Sequence, residues 1–132
     1  MQFWLFKSEP SKFSIYNMET DKVTSWDGVH NYQAQNYIKI MKLGDLAFFY
    51  HTENEKSIVG IVKVQKECYF TNNSKFGLID VEFSKMLKNS VTLANVRKNV
   101  LLKDMRMLKQ PRLSISPVLQ NEWDEIIRMS GS

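Results

Sequence analysis

The chain has 132 residues, 43% of them hydrophobic and 24% charged, which predicts a single globular domain over residues 1–132 that needs neither disulfide nor metal to form a core. It contains no run of the ~20 apolar residues that spanning a membrane requires and no signal-peptide pattern, and its lone Cys68 cannot form an internal disulfide. We therefore expect a soluble protein of a reducing compartment, cytoplasmic or, in a eukaryote, nuclear.

The net charge of +4 is unevenly distributed along the chain. Between Lys85 and Arg112, eight basic residues are opposed by Asp104 alone, so this segment carries +7 and the remainder −3. A basic stretch in a mildly acidic background indicates a polyanionic partner. A solvated lysine-rich face that only keeps the protein soluble would have the same composition.

The first half of the chain is predicted to alternate between strands and helices. The predicted elements are a strand over 2–7, a helix from 14 to about 21, a helix over 32–41 and a strand over 46–51. Pro10 cannot donate to a strand ladder, so the first strand should end before it. Ser14 and Asn31 stand where N-caps are expected.

The second half completes an α+β pattern with about five strands. The predicted elements are strands over 58–65, 79–84 and 112–116, a short helix over 93–99, a turn or edge piece over 101–105 and a C-terminal helix. Gly60 indicates a bulge or a close backbone approach, and Thr92 a helix cap. Ser116-Pro117 should start the last helix, whose buried face carries Leu119, Trp123, Ile126 and Ile127. The sum is a small curved sheet or barrel.

The stretch from Trp26 to Asn36 combines flat apolar rings with side-chain amides. Trp26 and Tyr32 provide ring faces, while Asn31, Gln33, Gln35 and Asn36 provide donors and acceptors. Rings that stack and amides that read an edge suit a planar heteroaromatic ligand. The alternative is structural: the stretch is a loop that enters a helix, with Asn31 as the N-cap of that helix and with Tyr32 and Tyr37 in the core.

Several short motifs, in their order and spacing, resemble the EVE domain family, a branch of the PUA-like folds. They are Lys7-Ser8-Glu9-Pro10, Trp26-Asp27-Gly28-Val29, Asn31-Tyr32-Gln33-Ala34, Asn36, Lys42-Leu43-Gly44-Asp45, Phe48-Phe49-Tyr50-His51, Gly60-Ile61, Arg112-Leu113-Ser114, Pro117-Val118 and Glu122-Trp123. The resemblance runs over essentially the whole chain. It implies a mixed, barrel-like sheet with surrounding short helices and a C-terminal helix, and a pocket that faces a basic groove.

The resemblance also implies a function: holding a modified base, such as a methylated cytosine, in DNA or in RNA. Where the family pattern has arginine, this chain has His30 and Gln35, and both differences remove a fixed positive charge beside the expected pocket. Affinity for phosphate at the rim of the expected pocket should therefore depend on other basic residues. The segment from Lys85 to Arg112 can supply this positive charge if it lies on the same face of the protein.

Reading all edges of one base requires that it be unpaired or flipped, at a cost of a few kcal/mol that stacking, worth roughly 1–3 kcal/mol, offsets. Burial of one methyl group adds only about 0.8 kcal/mol.

The residues predicted to contact the base are Ser8, Trp26, Val29, Asn31, Tyr32, Asn36, Tyr50 and His51. The residues predicted to contact phosphate are Lys7, His30, Arg112 and Ser114.

The sequence gives no support for catalysis, a metal or a cofactor. The two histidines and the one cysteine do not form a metal-ligand motif, and the chain has neither a glycine-rich phosphate loop nor a G-x-S-x-G elbow. We expect a monomeric nucleic-acid binder that makes no membrane contact, with any partner nuclease unknown. The alternatives are an RNA-binding PUA-like module without selectivity for modified bases, and a peptide-binding adaptor.

Overall fold

The computed structural model describes all 132 residues and contains six strands and five α-helices. The strands are β1 (Phe3–Ser8), β2 (Val23–Trp26), β3 (Leu46–His51), β4 (Ser57–Tyr69), β5 (Leu78–Thr92) and β6 (Ile115–Val118). The helices are α1 (Ile15–Asp21), α2 (Tyr32–Ile40), α3 (Leu93–Lys98), α4 (Arg106–Lys109) and α5 (Gln120–Ser130), with one 3₁₀ turn at Val100–Leu102. None of the helices combines the length and apolarity that crossing a membrane requires.

All six strands form one mixed sheet in the order β2-β5-β4-β3-β1-β6. Strands β1 and β3 are parallel, and every other neighbouring pair is antiparallel. The α+β class predicted from the sequence is confirmed, but the sheet is not closed. The four-residue edge strands β2 and β6 each pair on one side only, and α2 contacts both β4 and β6.

Residues alternate along β1 between the two faces of the sheet, and each face has its own hydrophobic core. Trp4 and Phe6 pack with α1 and α2, on what we call the α2 face. Phe3 and Leu5 pack with α3 and α5 on the opposite α5 face. Trp123 belongs to the α5 face and is 7% exposed, which confirms the prediction that it is a core residue.

The predicted helix caps and the irregularity at Gly60 are confirmed. Ser14 forms a capping box with Asn17, and the side chains of Asn31 and Thr92 each accept a backbone N–H at the start of α2 and α3. A Cβ atom at Gly60 would lie 2.6 Å from the Ile15 side chain, and the β4–β5 register shifts beside it. The glycine therefore permits the close approach of α1 to the sheet.

The predicted start of the last helix is wrong. Pro117 lies in β6 opposite Trp4, where an edge strand leaves one side free of ladder partners and tolerates proline. Helix α5 begins only at Gln120, and the Glu122 carboxylate accepts the N–H of Leu119 at 2.9 Å. Leu119 is consequently exposed rather than on the buried face.

Two further differences from the predicted elements concern β2, which was not predicted, and β5, which is longer than predicted. Val23–Trp26 pairs antiparallel with β5, which places Trp26 opposite Ile79 at the sheet edge. Strand β5 continues past the predicted end at residue 84 as far as Thr92, still paired with β4. The first basic residues of the 85–112 segment thus belong to a strand.

Candidate nucleic-acid interface

A surface cavity of about 490 Å³ opens where the end of β1 faces the segment that follows β2. We call it the Trp26 cavity, and its wall is formed by Lys7, Ser8, Glu9, Lys12, Phe13, Thr24, Ser25, Trp26, Asp27, Gly28, Val29 and Ser114. Five residues that the sequence analysis placed in the site share this wall: Lys7, Ser8, Trp26, Val29 and Ser114. The fold therefore brings together residues that lie up to about a hundred positions apart.

Trp26 is half-buried and packs only against the edges or tilted faces of other rings. Its ring centroid lies 5.2 Å from that of Phe6, 5.7 Å from that of Phe49 and 6.3 Å from that of Phe13, at interplanar angles of 38°, 85° and 78°. No aromatic ring of the protein is stacked on the indole. The indole N–H has no hydrogen-bond partner and is not among the buried unpaired polar atoms. Trp26 thus offers a ring surface to the cavity.

The end of β1 supplies the polar groups on the other side of the cavity. The Ser8 hydroxyl donates to the Phe13 carbonyl at 2.5 Å, which leaves its lone pairs free to accept a hydrogen bond. Lys7 Nζ donates to the Pro111 carbonyl at 2.7 Å, and burial lowers the pKa of this lysine. Lys7 is held between this cavity and a neighbouring cleft.

That neighbouring cleft, of about 190 Å³, carries an excess of positive charge. We call it the Arg97 cleft; it is lined by Lys7, Tyr50, Thr52, Glu53, Lys56, Leu93, Arg97, Met107 and Pro111. Its single carboxylate belongs to Glu53, whose pKa is lowered by hydrogen bonds from the Ser11 hydroxyl and N–H. Three cations therefore face one carboxylate, an arrangement suited to phosphate.

The Trp26 cavity itself is balanced in charge. Lys7 and Lys12 are matched there by Glu9 and Asp27, and Lys12 Nζ lies 3.6 Å from a Glu9 carboxylate oxygen. Asp27 makes no side-chain hydrogen bond or salt bridge within the protein. The two openings thus differ in chemistry, with an aromatic ring and a free carboxylate in one and basic groups in the other.

A third opening, of about 380 Å³, places Arg112 next to the Arg97 cleft. We call it the Arg112 opening; it is lined by Asn31, Gln33, Gln110, Pro111, Arg112 and Leu113. Pro111 lines both the Arg97 cleft and this opening, and its carbonyl binds Lys7. Part of the basic segment of the sequence, through Arg97 and Arg112, therefore lies around Lys7.

Tyr50 and His51, both predicted to contact the base, do not line the Trp26 cavity. Tyr50 is buried in the wall of the Arg97 cleft with Lys7 Nζ 5.8 Å from its ring centre, and burial raises its pKa. His51 is 2% exposed, and its Nε2 accepts the N–H of Ile15 at 2.9 Å, which makes Nδ1–H the donor to Glu55. His51 holds the start of α1 against β3.

The amide side chains of α2 do not surround the indole as the sequence pattern suggests. Asn31 Oδ1 accepts the N–H of Ala34 as N-cap, and the Gln33 side chain exchanges two 2.9 Å hydrogen bonds with that of Gln110. Asn36 is exposed on α2 and has no hydrogen-bond partner in the protein. Neither asparagine lines the Trp26 cavity.

Gln35 has a different role from the one expected of it. It is 2% exposed; its Nε2 donates to the carbonyls of Val29 at 2.7 Å and Gly77 at 2.9 Å, and its Oε1 accepts the Gly77 N–H at 2.8 Å. The expectation that Gln35 leaves the pocket rim short of a charge is therefore wrong, since this side chain is buried between two loops. It fixes the backbone of Val29, a wall residue of the cavity.

His30 and Tyr32 lie outside the cavity and beside an aromatic residue that sequence reasoning missed. The imidazole of His30 is stacked on Phe76, with ring centres 4.5 Å apart and an interplanar angle of 30°. The Tyr32 ring centre lies 6.3 Å from that of Phe76, and Lys75 Nζ lies 5.4 Å from the centre of the Phe76 ring. Phe76 could have been predicted as a surface aromatic residue, because it is the one aromatic residue of the polar loop 71–77 and follows Lys75.

The structure also assigns to the site several residues that sequence reasoning passed over. Lys56 and Arg97 line the basic cleft, and Phe13 and Asp27 line the cavity. From the sequence, Arg97 could be recognised only as one of the positive charges of the basic segment. Its position near Lys7 could not be predicted, because it depends on long-range strand pairing. No group of three or more His, Cys, Asp or Glu side chains is placed to hold a metal ion.

Comparison with known proteins agrees with this fold over the full chain. The sequence model of the EVE domain matches residues 2–129. Thymocyte nuclear protein 1 of Gallus gallus is 36% identical over 163 aligned positions, which cover 96% of this chain and 67% of that protein.

Solved structures give the same result. The NMR structure of Rpa0253 from Rhodopseudomonas palustris is 39% identical, with a TM-score of 0.94 over 99% of this chain and 94% of that one. The crystal structure of human THYN1 protein in complex with 5-methylcytosine-containing DNA is 34% identical, with a TM-score of 0.90 over 100% and 99% of the two chains.

Proposed function

The chain belongs to the EVE domain family, and from that premise we propose that it binds DNA and holds one modified base, such as 5-methylcytosine, in the Trp26 cavity. The related human protein has been crystallised with DNA containing that base. The observation that carries the proposal for this chain is the indole of Trp26, which walls an open cavity and has no ring of the protein stacked on it.

The cavity has the size and the chemistry for a single base. Its volume of about 490 Å³ lies in the range of small-molecule sites. Stacking of a base on an aromatic ring contributes roughly 1–3 kcal/mol, which offsets the few kcal/mol that unstacking and unpairing that base costs. An unpaired or flipped base is therefore the form that the cavity accepts.

Asp27 is the group in the wall that favours cytosine. The exocyclic amino group of cytosine is a donor, and Asp or Glu carboxylates accept from it in known DNA contacts. Asp27 has no partner within the protein, whereas Glu9 is engaged by Lys12. The hydroxyls of Ser8 and Ser114 provide further acceptors, and Val29 an apolar contact for a methyl group.

The flanking phosphates are assigned to the basic residues around Lys7. Lys7 and Arg97 share one cleft with Lys56, and Arg112 lies in the next opening across Pro111. A strand whose base enters the Trp26 cavity would place its backbone along these cations. Such contacts release counterions, so the affinity should fall steeply as salt concentration rises.

This arrangement suits binding rather than catalysis. The cavity wall holds carboxylates, hydroxyls and amines, but the Ser8 hydroxyl donates to the Phe13 carbonyl and is not paired with a side-chain base that would activate it as a nucleophile. We expect the protein to bind oligonucleotides without turning them over, and incubation with free nucleotides or oligonucleotides checks this directly.

The test is a binding panel read by fluorescence anisotropy. Short oligonucleotides carry cytosine, 5-methylcytosine, adenine or N6-methyladenine, as single and double strands of DNA and RNA, at several salt concentrations. We expect the 5-methylcytosine DNA to bind most tightly, and Trp26→Ala to weaken it roughly 5- to 150-fold, the loss of one stacked base. Trp26→Phe keeps a ring and should retain part of the affinity.

Two results would count against the proposal. Equal binding of RNA and DNA whatever the base modification would favour the RNA-binding alternative. Affinity for an apolar peptide, unaffected by salt, would favour an adaptor.

A further inference from the structure

Three rings form a surface group next to the Trp26 cavity, which we call the outer aromatic patch: His30, Tyr32 and Phe76. His30 is exposed and stacked on Phe76, and Tyr32 is 70% exposed. Lys75 places its ammonium group over the Phe76 ring. Exposed rings beside a cation are the composition of surfaces that stack unpaired bases.

The patch is held in place by the fold rather than by its own rings. Gln35 binds the backbone of Val29 and of Gly77, and these residues directly precede His30 and directly follow Phe76. Gly77 has no room for a side chain, because a Cβ there would lie 2.4 Å from the Cys68 sulfur. The loop that carries Phe76 is thereby fixed against β4. A surface that is ordered before binding loses less entropy when a ligand docks.

The patch and the cavity are continuous along the chain. Val29 lines the cavity, and the next residue, His30, belongs to the patch. Consecutive Cα atoms lie about 3.8 Å apart, so this adjacency brings one edge of the patch within reach of a nucleotide next to the one held in the cavity. The Arg97 cleft lies next to Lys7, on the β1 side of the cavity.

We propose that the outer aromatic patch stacks the base adjacent to the one held in the Trp26 cavity, so that the protein engages two consecutive unpaired nucleotides. This inference rests on the proposed function, because it takes the cavity as the site of the first base. Stacking needs no base-edge readout, so the second position should accept any of the bases and should distinguish only a base from its absence.

The experiment uses single-stranded DNA with one 5-methylcytosine and an abasic site immediately 5′ or 3′ of it. For the wild-type protein, the abasic site on one of the two sides should weaken binding roughly fivefold or more. Tyr32→Ala should weaken binding of the intact oligonucleotide and abolish the difference between intact and abasic strands. Tyr32→Phe, which keeps the ring, should behave as wild type.

The controls separate stacking at the patch from charge and from the loss of an exposed tyrosine elsewhere. Tyr16 is 67% exposed on α1 and lines none of the openings, so Tyr16→Ala is the matched control and should bind as wild type. Tyr32 carries no charge, so Tyr32→Ala should leave the dependence of affinity on salt unchanged. His30→Ala should reproduce the loss seen for Tyr32→Ala.

The outcomes for the patch and the cavity are distinguishable. If Tyr32→Ala and His30→Ala bind as wild type while Trp26→Ala binds weakly, the patch assignment is overturned and the cavity assignment stands. If Trp26→Ala binds as wild type, the cavity assignment fails, and the two-nucleotide inference fails with it. Loss in both sets, together with the abasic effect confined to one side, supports the inference.

Discussion

Trp26 and Trp123 lie on opposite faces of the same sheet and differ in how the fold surrounds them. Trp123 is sandwiched on the α5 face, with ring centres 4.4 Å from Phe3 and 3.9 Å from Phe48 at angles of 16° and 17°. Trp26, at the edge of the α2 face, meets only tilted rings and ring edges. One indole has both faces covered by the core, and the other keeps ring surface for a ligand.

The comparison shows that residue type alone does not separate a core tryptophan from a binding tryptophan. The difference arises from position in the sheet. Trp123 projects from α5 onto the central strands β1 and β3, whereas Trp26 ends the four-residue edge strand β2. An edge position leaves one side without a covering element, and the Trp26 cavity occupies that space.

The largest expected effect is the loss of the covered tryptophan. Trp123→Ala should lower the free energy of unfolding by about 3–5 kcal/mol, because it removes a ring packed on both faces. Trp26→Ala should cost less, since part of that ring is already in contact with solvent. Urea denaturation of the two variants and the wild type measures the difference. Equal losses would contradict the distinction between the two faces.

The second effect concerns the support behind the cavity rather than the cavity itself. Gln35→Leu should destabilise the protein by about 2–4 kcal/mol, since each buried backbone group left without a partner costs about 1–3 kcal/mol. Gln33→Leu, on the same helix but half-exposed, is the control and should cost less. Thermal unfolding of both variants provides the measurement. A Gln35 variant as stable as wild type would mean that the loops keep their positions without this side chain.

A third prediction separates the basic cleft from the charge-balanced cavity. Arg97→Gln should lower the slope of log affinity against log salt by about 0.9 in magnitude, the value for one lost phosphate contact. Lys88 belongs to the same basic segment, but it lies on β5, where its backbone N–H donates to the hydroxyl of Ser132 beyond the end of α5. Lys88→Gln is therefore the matched control. Anisotropy titrations at four or more salt concentrations measure the slopes. Identical slopes for the two variants would place the phosphate track elsewhere.

The smallest effect is expected at Asn31, where the sequence pattern suggested a base contact. Asn31→Ala should cost about 1 kcal/mol of stability, because its Oδ1 caps α2. It should change the ratio of affinities for methylated and unmodified cytosine less than twofold, since this asparagine does not line the Trp26 cavity. Urea denaturation and anisotropy together check both parts. A marked loss of base selectivity would return Asn31 to the site.

The fold could be predicted largely from local signals. Hydrophobic periodicity and caps such as Ser14, Asn31 and Thr92 act within a few residues, and they placed the central strands and most helices correctly. The family resemblance is confirmed as well. Most failures occurred at the sheet edges, but β5, which has a neighbour on both sides, also extends past its predicted end at residue 84 to Thr92. Val23–Trp26 is too short for a clear alternation, and Ser116-Pro117 satisfies the pattern of a helix start and that of an edge strand equally well.

The site could be predicted only in part, because its geometry depends on long-range packing. Lys7, Ser8 and Trp26 line one cavity, because Phe6 of β1 packs against Trp26 of β2 on the α2 face, although three strands separate β1 from β2 in the sheet. The amide side chains of α2 project in different directions around the helix, and that of Gln35 points inward and binds the backbone carbonyl of Val29. Arg97 lies in one cleft with Lys7 because the β1–β3, β3–β4 and β4–β5 pairings place α3, which follows β5, near β1, and no local sequence pattern reveals these pairings.

The central claim is that the Trp26 cavity holds the modified base, and a thermodynamic cycle tests it most directly. Affinities of wild type and Trp26→Ala are measured for two oligonucleotides that differ only in the methyl group of one cytosine. If the base lies on the indole, the preference for 5-methylcytosine should disappear in Trp26→Ala along with most of the affinity. A variant that keeps the full preference for 5-methylcytosine would show that the base is positioned and its methyl group recognised without the indole, which would contradict this account.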